Sequence, residues 1–283
     1  MHRLPLLLRA LLFMALGAAA GGAGPSYGTL PPGMLSRSEL SEVSAEICRD
    51  HVFDPSIVSR RLPPGYRLVT LAEQAKDDPA LGEFLRAHPG YSSHALGSLC
   101  FMSVGSFTVD GVRVHPPGHT PMAFWWARAE GPRDARMRGE STWIQLGSWY
   151  SHDLTERARI LATDPMAQFT DIQVAEEKPH VWRLRLVLPD EVIAGEVRCS
   201  GQPMRRHGPE PGYMSVPFSG DHAGKFWVIS YFGHHELKAQ GDWQGQGSGV
   251  FTTALQVPQE AKAFGTVFQL GWSALSGLYQ RNP

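Results

Sequence analysis

Cysteine, lysine and asparagine are all scarce in this sequence, and no complete catalytic or metal-binding motif occurs in it. The three cysteines, Cys48, Cys100 and Cys199, are far apart and include no C-x-x-C pair, which excludes a disulfide scaffold and the usual redox or zinc spacings. One disulfide with one buried thiol, or three buried thiols, both remain open. Lysine occurs only at positions 76, 178, 225, 238 and 262, and Asn282 is the single asparagine. That bias is the mark of a GC-rich genome and favours a bacterial origin. An excess of charge of either sign is missing too: 26 basic residues face 27 acidic ones, so there is no electrostatic basis for binding nucleic acid or an anionic membrane. No apolar run approaches the ~20 residues of a membrane-spanning helix.

What is present begins at the N-terminus. Arg3 and Arg9 precede an apolar run over 10–16, followed by Gly17, Ala18, Ala19 and Ala20. This is the charge, apolar core and small-residue pattern of a secretory signal peptide, expected over 1–24 and cleaved near 20–24. The product is then periplasmic or secreted, with no lipid anchor because the first cysteine is Cys48, and with no stable membrane insertion. Loss of the two arginines takes the formal net charge from −1 to −3. Residues 25–35, rich in Gly and Pro, are expected as a flexible leader. Residues 36–283 are long enough for a single β-rich domain.

Ser36 and Glu39 form a capping-box pattern, and Leu40, Val43, Ile47 and Cys48 follow at helical spacing, which predicts a helix over 37–50. A second helix is expected over 78–87, ended by Pro89-Gly90, and a third over 152–162. Beyond Ser93 the chain turns to Val, Ile, Phe, Trp and Tyr punctuated by Gly, Pro and Asp. Strands are expected over 99–109, 122–129, 142–150, 169–175, 181–188, 192–199, 213–218, 226–232, 236–242 and 249–256. In the fifth of these Trp182, Leu184, Leu186 and Leu188 share one face, with Arg183 and Arg185 on the other, solvated or lining a polar cavity. The tail over 264–279 is apolar enough to pack back on the body. The fold class is therefore mostly β (α+β), a curved antiparallel sheet closing into a barrel or sandwich, with N-terminal helices.

Several near-motifs fail on chemical grounds. His235-Glu236 begins like a zinc-protease helix but lacks the second histidine. The 220–226 segment imitates a phosphate loop, yet its glycines are too close and Phe226 stands where a hydroxyl would hold magnesium; a hairpin connection explains it better. Ser248 sits one place away from a serine-nucleophile elbow. His115 and His119 are separated by prolines that forbid a helix, so a solvated turn explains them better than a metal. Neither a metal nor a cofactor is expected. The candidate chemistry that survives is His234, Glu236 and Lys238, which strand alternation places on one face: His234 and Glu236 could move a proton there, or the three could form a solvated strand end. The eight tryptophans could wall an apolar cavity or fill a core.

Arg159 stands six positions before Pro165, which is followed by Met166 and Ala167; later come Tyr213 to Phe218, Gly224 to Tyr231, and Asp242-Trp243-Gln244-Gly245-Gln246-Gly247. Read in order, these pieces resemble the acetoacetate decarboxylase-like family over at most residues 95–280. The resemblance implies a curved sheet around a small-molecule cavity in which Arg159 could bind a carboxylate or carbonyl oxygen, with Trp243 beside the ligand. It also implies a departure, because the family's paired lysines are replaced by Met166 and Ala167, which can form no imine. The expectation is an exported protein that binds a small apolar or carbonyl/carboxylate ligand and is not a Schiff-base decarboxylase. Its alternatives are a divergent enzyme of that fold using Arg159, His234 and Glu236, and a structural or interaction domain of the envelope. Whether it is an enzyme, and its oligomeric state, stay open at this level.

Overall fold

The computed structural model describes residues 27–137, 143–205, 211–254 and 266–281. The signal peptide expected over 1–24 lies outside them. The strands are β1 (Ser36–Phe53), β2 (Arg67–Leu68), β3 (Ala95–Val109), β4 (Val112–Arg113), β5 (Thr120–Glu130), β6 (Trp143–Ser151), β7 (Ala167–Thr170), β8 (Ile172–Lys178), β9 (Val181–Val187), β10 (Glu191–Arg205), β11 (Gly212–Pro217), β12 (Lys225–Phe232), β13 (His235–Gly247), β14 (Thr266–Leu270) and β15 (Ser273–Gln280). The helices are α1 (Ser56–Ser59), α2 (Leu71–Gln74), α3 (Pro79–Ala87), α4 (Arg157–Thr163) and α5 (Val250–Ala254).

All the strands belong to one large mixed sheet, antiparallel except where β6 meets β7. At its centre β5, β3 and β1 lie side by side, and there the sheet forks. The first half of β1 pairs with β15, Leu40 opposite Ala274, and β15 leads on to β12 and β11. The second half pairs with β14, Glu46 opposite Gln269, and β14 leads on to β13, β10, β9 and β8. Between the two halves β1 carries a bulge at Val43–Ala45. Glu42 just before it has φ of 56°, and the N–H of Gly271, between β14 and β15, donates to the carbonyl of Val43 at 2.8 Å. A bulge bends its strand and increases the twist, which is what lets the two branches turn away from one another.

The branches cover opposite faces of the central strands. On one face Ile47, Phe101, Trp125 and Phe268 pack with Trp182, Leu184, Ile193 and Trp243 from the β8–β13 branch. On the other Met102, Met122 and Phe124 pack with Val216, Trp227, Ile229 and Leu278 from the β11–β15 branch. Strands buried on both sides read as continuous apolar runs rather than alternating ones, and β3 is buried at nearly every position. The second branch curls back until Phe218, just after β11, bridges Gln145 of β6. A single bridge makes no ladder, so the sheet is curved but not closed into a barrel.

The helix expected over 37–50 is part of β1. A helix buries one stripe, whereas this segment sends Ala45 and Ile47 to one core and Glu46 and Cys48 toward the other, which only a strand with a period of two can do. The capping box that does form is at α2: the N–H of Glu73 donates to Thr70 Oγ1 at 3.3 Å, and the N–H of Thr70 donates to Glu73 Oε2 at 2.9 Å. The segment expected as a strand over 249–256 holds α5 instead, because the buried Glu191 carboxylate accepts from the N–H groups of Phe251 (3.2 Å) and Thr252 (2.6 Å) and so caps a helix start; residues 255–256 lie outside the described ones.

The helix expected over 78–87 is α3, with Asp78 as its N-cap. That expected over 152–162 is reduced to α4. The strand expected over 169–175 is divided between β7 and β8, and the 264–279 tail forms β14 and β15 in its described part. The 27–35 part of the expected flexible leader lies along the body: Leu35 N–H donates to Leu278 O (2.7 Å), Tyr279 O–H to Pro31 O (2.7 Å) and Gly28 N–H to Ser230 Oγ (3.1 Å). Arg183 and Arg185 pair on the outer face with Glu177 and Asp171. Among the described residues no helix is long and apolar enough to cross a membrane.

Candidate functional site

Where the sheet forks, the β11–β15 branch arches over the central strands and leaves a cavity of about 380 Å³. Its walls are mostly apolar: Met102, Met122 and Phe124 from the central strands face Met214, Trp227 and Ile229 from the arch. Four of the eight tryptophans, Trp126, Trp143, Trp227 and Trp272, line it, while Trp125, Trp149, Trp182 and Trp243 fill the core on the opposite face. Both sequence readings of the tryptophans therefore hold, each for half of them.

Polar groups collect where regular pairing is interrupted. Glu46 follows the bulge of β1; His234 sits in the turn between β12 and β13; Trp272 sits in the break between β14 and β15. The turn at Gly233 has φ of +81°, and a Cβ there would lie 2.9 Å from the carbonyl oxygen of Gly271, so glycine is required for the two breaks to meet. His234 Nε2 is 4.0 Å from Glu46 Oε2 and hydrogen-bonds Gln269 Oε1, with its ring 5.9 Å from those of Tyr231 and Trp272. Burial raises the Glu46 carboxyl to about 7, opposed by the indole of Trp272.

Along the same face of β1 follow Cys48 and Asp50, opposite Cys100 and Ser98 of β3. Cys48 and Cys100 are joined in a disulfide, and Cys199 is a buried free thiol. Asp50 is held up to about 6 by burial, with the Ser98 hydroxyl and the Arg128 charge acting against it. The Arg128 guanidinium lies 4.4 Å over the Trp143 ring. In the wall formed by β6, Tyr150 O–H donates to Asp164 Oδ2 at 2.8 Å, and burial raises the Asp164 carboxyl to about 6. Glu46, Cys48 and Cys100 bring ligand atoms within 4.8 Å of one another, but two joined sulfurs offer no thiolate to a metal.

Of the residues expected at a site, His234 reaches the cavity. Glu236 lies in β13 opposite Met204 and Gln269 and does not line it. Arg159 is on the outer face of α4, its side chain 44% exposed and paired with Glu156 at 3.3 Å, so helix geometry turns it away from any ligand in this cavity. Trp243 is fully buried against Phe101 in the other core, because its strand belongs to the other branch of the fork. Met166 and Ala167, which the sequence resemblance set against the family's paired lysines, are buried in the apolar core of the cavity face. His115 is buried and accepts from the N–H of Phe107 at 3.0 Å, while His119 pairs with Ser44, so that pair is divided. The glycines at 220 and 224 do turn a hairpin, between β11 and β12.

Glu46, Asp50, Arg128 and Tyr150 were not foreseen. The signal for two of them was legible as Glu46-Cys48-Asp50, polar at every second position inside an apolar stretch, but only with strand periodicity in mind.

No family profile matches the chain, and no curated protein matches it by sequence. Among solved structures it is similar to the enduracididine biosynthesis enzyme MppR. With HEPES bound, the similarity has a TM-score of 0.42 at 11% identity over 94% of this chain and 97% of that one. With the condensation product of pyruvate and imidazole 4-carboxaldehyde the values are 0.41, 11%, 93% and 97%, and with pyruvate 0.40, 11%, 90% and 91%. Overlaps this loose assign no family, ligand or activity to this chain.

Proposed function

We propose that this is an exported protein that holds one small, largely apolar ligand carrying a carbonyl or hydroxyl oxygen, in the cavity beneath the β11–β15 arch. The observation that carries the reading is the division of that cavity: apolar walls around about 380 Å³, with its acids and bases at the fork and along β1. Ligand sites of this kind run to ~300–1,000 Å³, mostly apolar with a few placed polar groups. A Glu46 carboxyl raised to about 7 is a hydrogen-bond donor in slightly acid solution and suits a ligand oxygen that accepts. A carboxylate ligand would face Glu46 and Asp50, with Arg128 the one permanently charged cation among the described lining residues. The Cys48–Cys100 disulfide supports an oxidising compartment.

The test is a fluorescence titration of the purified protein with medium-chain ketones, alcohols and carboxylic acids, since four tryptophans wall the cavity. Ketones and alcohols are expected to quench saturably and to bind more tightly than acids of equal length. Ala274→Phe, which fills the cavity at a buried wall position, is expected to abolish binding. Unchanged spectra and melting temperature with every ligand class, or full binding by Ala274→Phe, overturn the reading.

A second reading has one observation in its favour, the 4.0 Å separation of His234 and Glu46. Such a pair could exchange the α-proton of a bound ketone. Deuterium uptake at that carbon, lost in Glu46→Gln, would establish it, and its absence would leave binding alone.

A further inference from the structure

The disulfide is placed unlike a structural staple. Cys48 and Cys100 face one another across β1 and β3, and both line the cavity rather than the packed core on the other face. Cys48 is half-buried and Cys100 is buried, so Cys48 is the more open residue of the pair. A Glu46 carboxyl oxygen lies within 4.8 Å of both sulfurs, and Ser98 Oγ is 3.8 Å from Cys100 Sγ. Breaking a disulfide needs an attacking thiolate in line with the bond and a proton for the departing sulfur. The cavity gives small molecules access to the pair, and the carboxyl and hydroxyl flank its two sulfurs.

We propose that Cys48–Cys100 is a thiol–disulfide exchange site that takes a low-molecular-weight thiol through the cavity. A thiolate RS⁻ attacks Cys48 Sγ, forming the RS–Cys48 bond as the Cys48–Cys100 bond breaks, and Cys100 leaves as a thiolate that takes the Glu46 proton. A second RS⁻ attacks the mixed disulfide, releasing RSSR and the Cys48 thiolate, which is protonated from solvent. In total two thiols are oxidised to one disulfide while the protein disulfide is reduced to two thiols, and the reverse sequence oxidises the protein with a small disulfide. The proposal rests on the cavity being open to small molecules, not on which ligand it holds. The third cysteine is a built-in control, since burial pushes the Cys199 thiol up to about 12 and keeps it unreactive.

The Glu46 carboxyl is faced by His234 from the β12–β13 turn, by Gln269 of β14 and by Trp272; the other titratable groups lining the cavity are Asp50, Arg128, Tyr150 and Tyr231. A proton donor with a carboxyl raised to about 7 is lost as the pH rises through that value.

The native protein is treated with 2-mercaptoethanol, then alkylated and mapped by mass spectrometry, and its unfolding rate is measured separately in urea. Expected are alkylation of Cys48 and Cys100 but not Cys199, at a rate proportional to thiol and far above the unfolding rate. The rate per thiolate should fall as the pH passes 7, whereas Glu46→Gln reacts about tenfold or more slowly at pH 6 and loses that inflection. A bulky thiol such as a reduced thioredoxin-type protein should reduce the folded protein far more slowly. Cys100→Ser with cystamine should give a mixed disulfide on Cys48. Reduction only at the unfolding rate, or equally fast by small and bulky thiols, overturns the proposal. Reduction at the unfolding rate in a protein that still binds ketones would spare the ligand reading, and rapid exchange in a protein that binds none would spare this one.

Discussion

Glu46→Gln should make the stability of this protein less dependent on pH, and the sign and size follow from the burial of a single carboxyl. In the native structure burial raises Glu46 from 4.5 to about 7. A raised carboxyl is stabilising in its protonated form: the contribution is complete below 4.5, where both folded and unfolded chains are protonated, and is lost as the pH rises through about 7. At ~1.4 kcal/mol per pKa unit, the loss across that window is about 3 kcal/mol. Gln has the same shape and no charge to desolvate. The difference in unfolding free energy between Glu46→Gln and native protein should therefore shift in favour of the variant by about 3 kcal/mol from pH 4.5 to 8. Asp50 and Asp164, both raised to about 6, act in the same direction in both proteins and cancel in the difference. His51, lowered by burial to about 4, acts oppositely, its contribution being lost as the pH falls from 6.5, and cancels too. Urea unfolding followed by far-UV circular dichroism at five or six pH values measures this. A difference independent of pH would refute the desolvation argument. A shift against the variant would mean that His234, 4.0 Å away, holds Glu46 as an ion pair instead.

Arg159→Ala, which removes an exposed partner of Glu156, should change stability by no more than about 0.5 kcal/mol and leave ligand titrations unchanged. Trp243→Ala should cost about 3–5 kcal/mol in chemical unfolding, because the residue is fully buried, while ligand affinity in the folded fraction stays as in the native protein. Trp126→Ala, in the cavity wall, should do the reverse and weaken ligand binding at a smaller cost in stability. Gly233→Ala introduces both a strained φ and a contact at 2.9 Å, and a loss of about 1–3 kcal/mol with a displaced His234 is expected from thermal melts and NMR of the imidazole.

Much of the architecture could be read from local pattern. The alternation of Trp182, Leu184 and Leu186 against Arg183 and Arg185 fixes the faces of β9, and Asp78 with Pro79 starts α3, because short-range packing and capping decide both. The 37–50 segment misled because its helical spacing and capping residues are genuine local preferences, overruled by pairing with β3 on one side and with β14 and β15 on the other. The 249–256 segment misled in the opposite sense, since its helix depends on Glu191, some sixty residues earlier in the chain.

The sequence by itself determined a β-rich body, the positions of most strands, and the absence of any two adjacent lysines. Those properties depend on neighbours along the chain or on residue identity alone. Only the tertiary structure decided which side chains share a cavity. Trp243 is kept from the cavity because its strand belongs to the other branch of the fork and Arg159 because it sits on the outer face of α4, whereas Glu46 and Arg128 reach it from the central strands and Trp272 from the break between β14 and β15; the fork itself is set by the bulge in β1 and by register with strands more than two hundred residues away. Pairing of β1 with β3, fifty-two residues apart at this point, brought Cys48 and Cys100 together in the cavity wall, with Glu46 beside them.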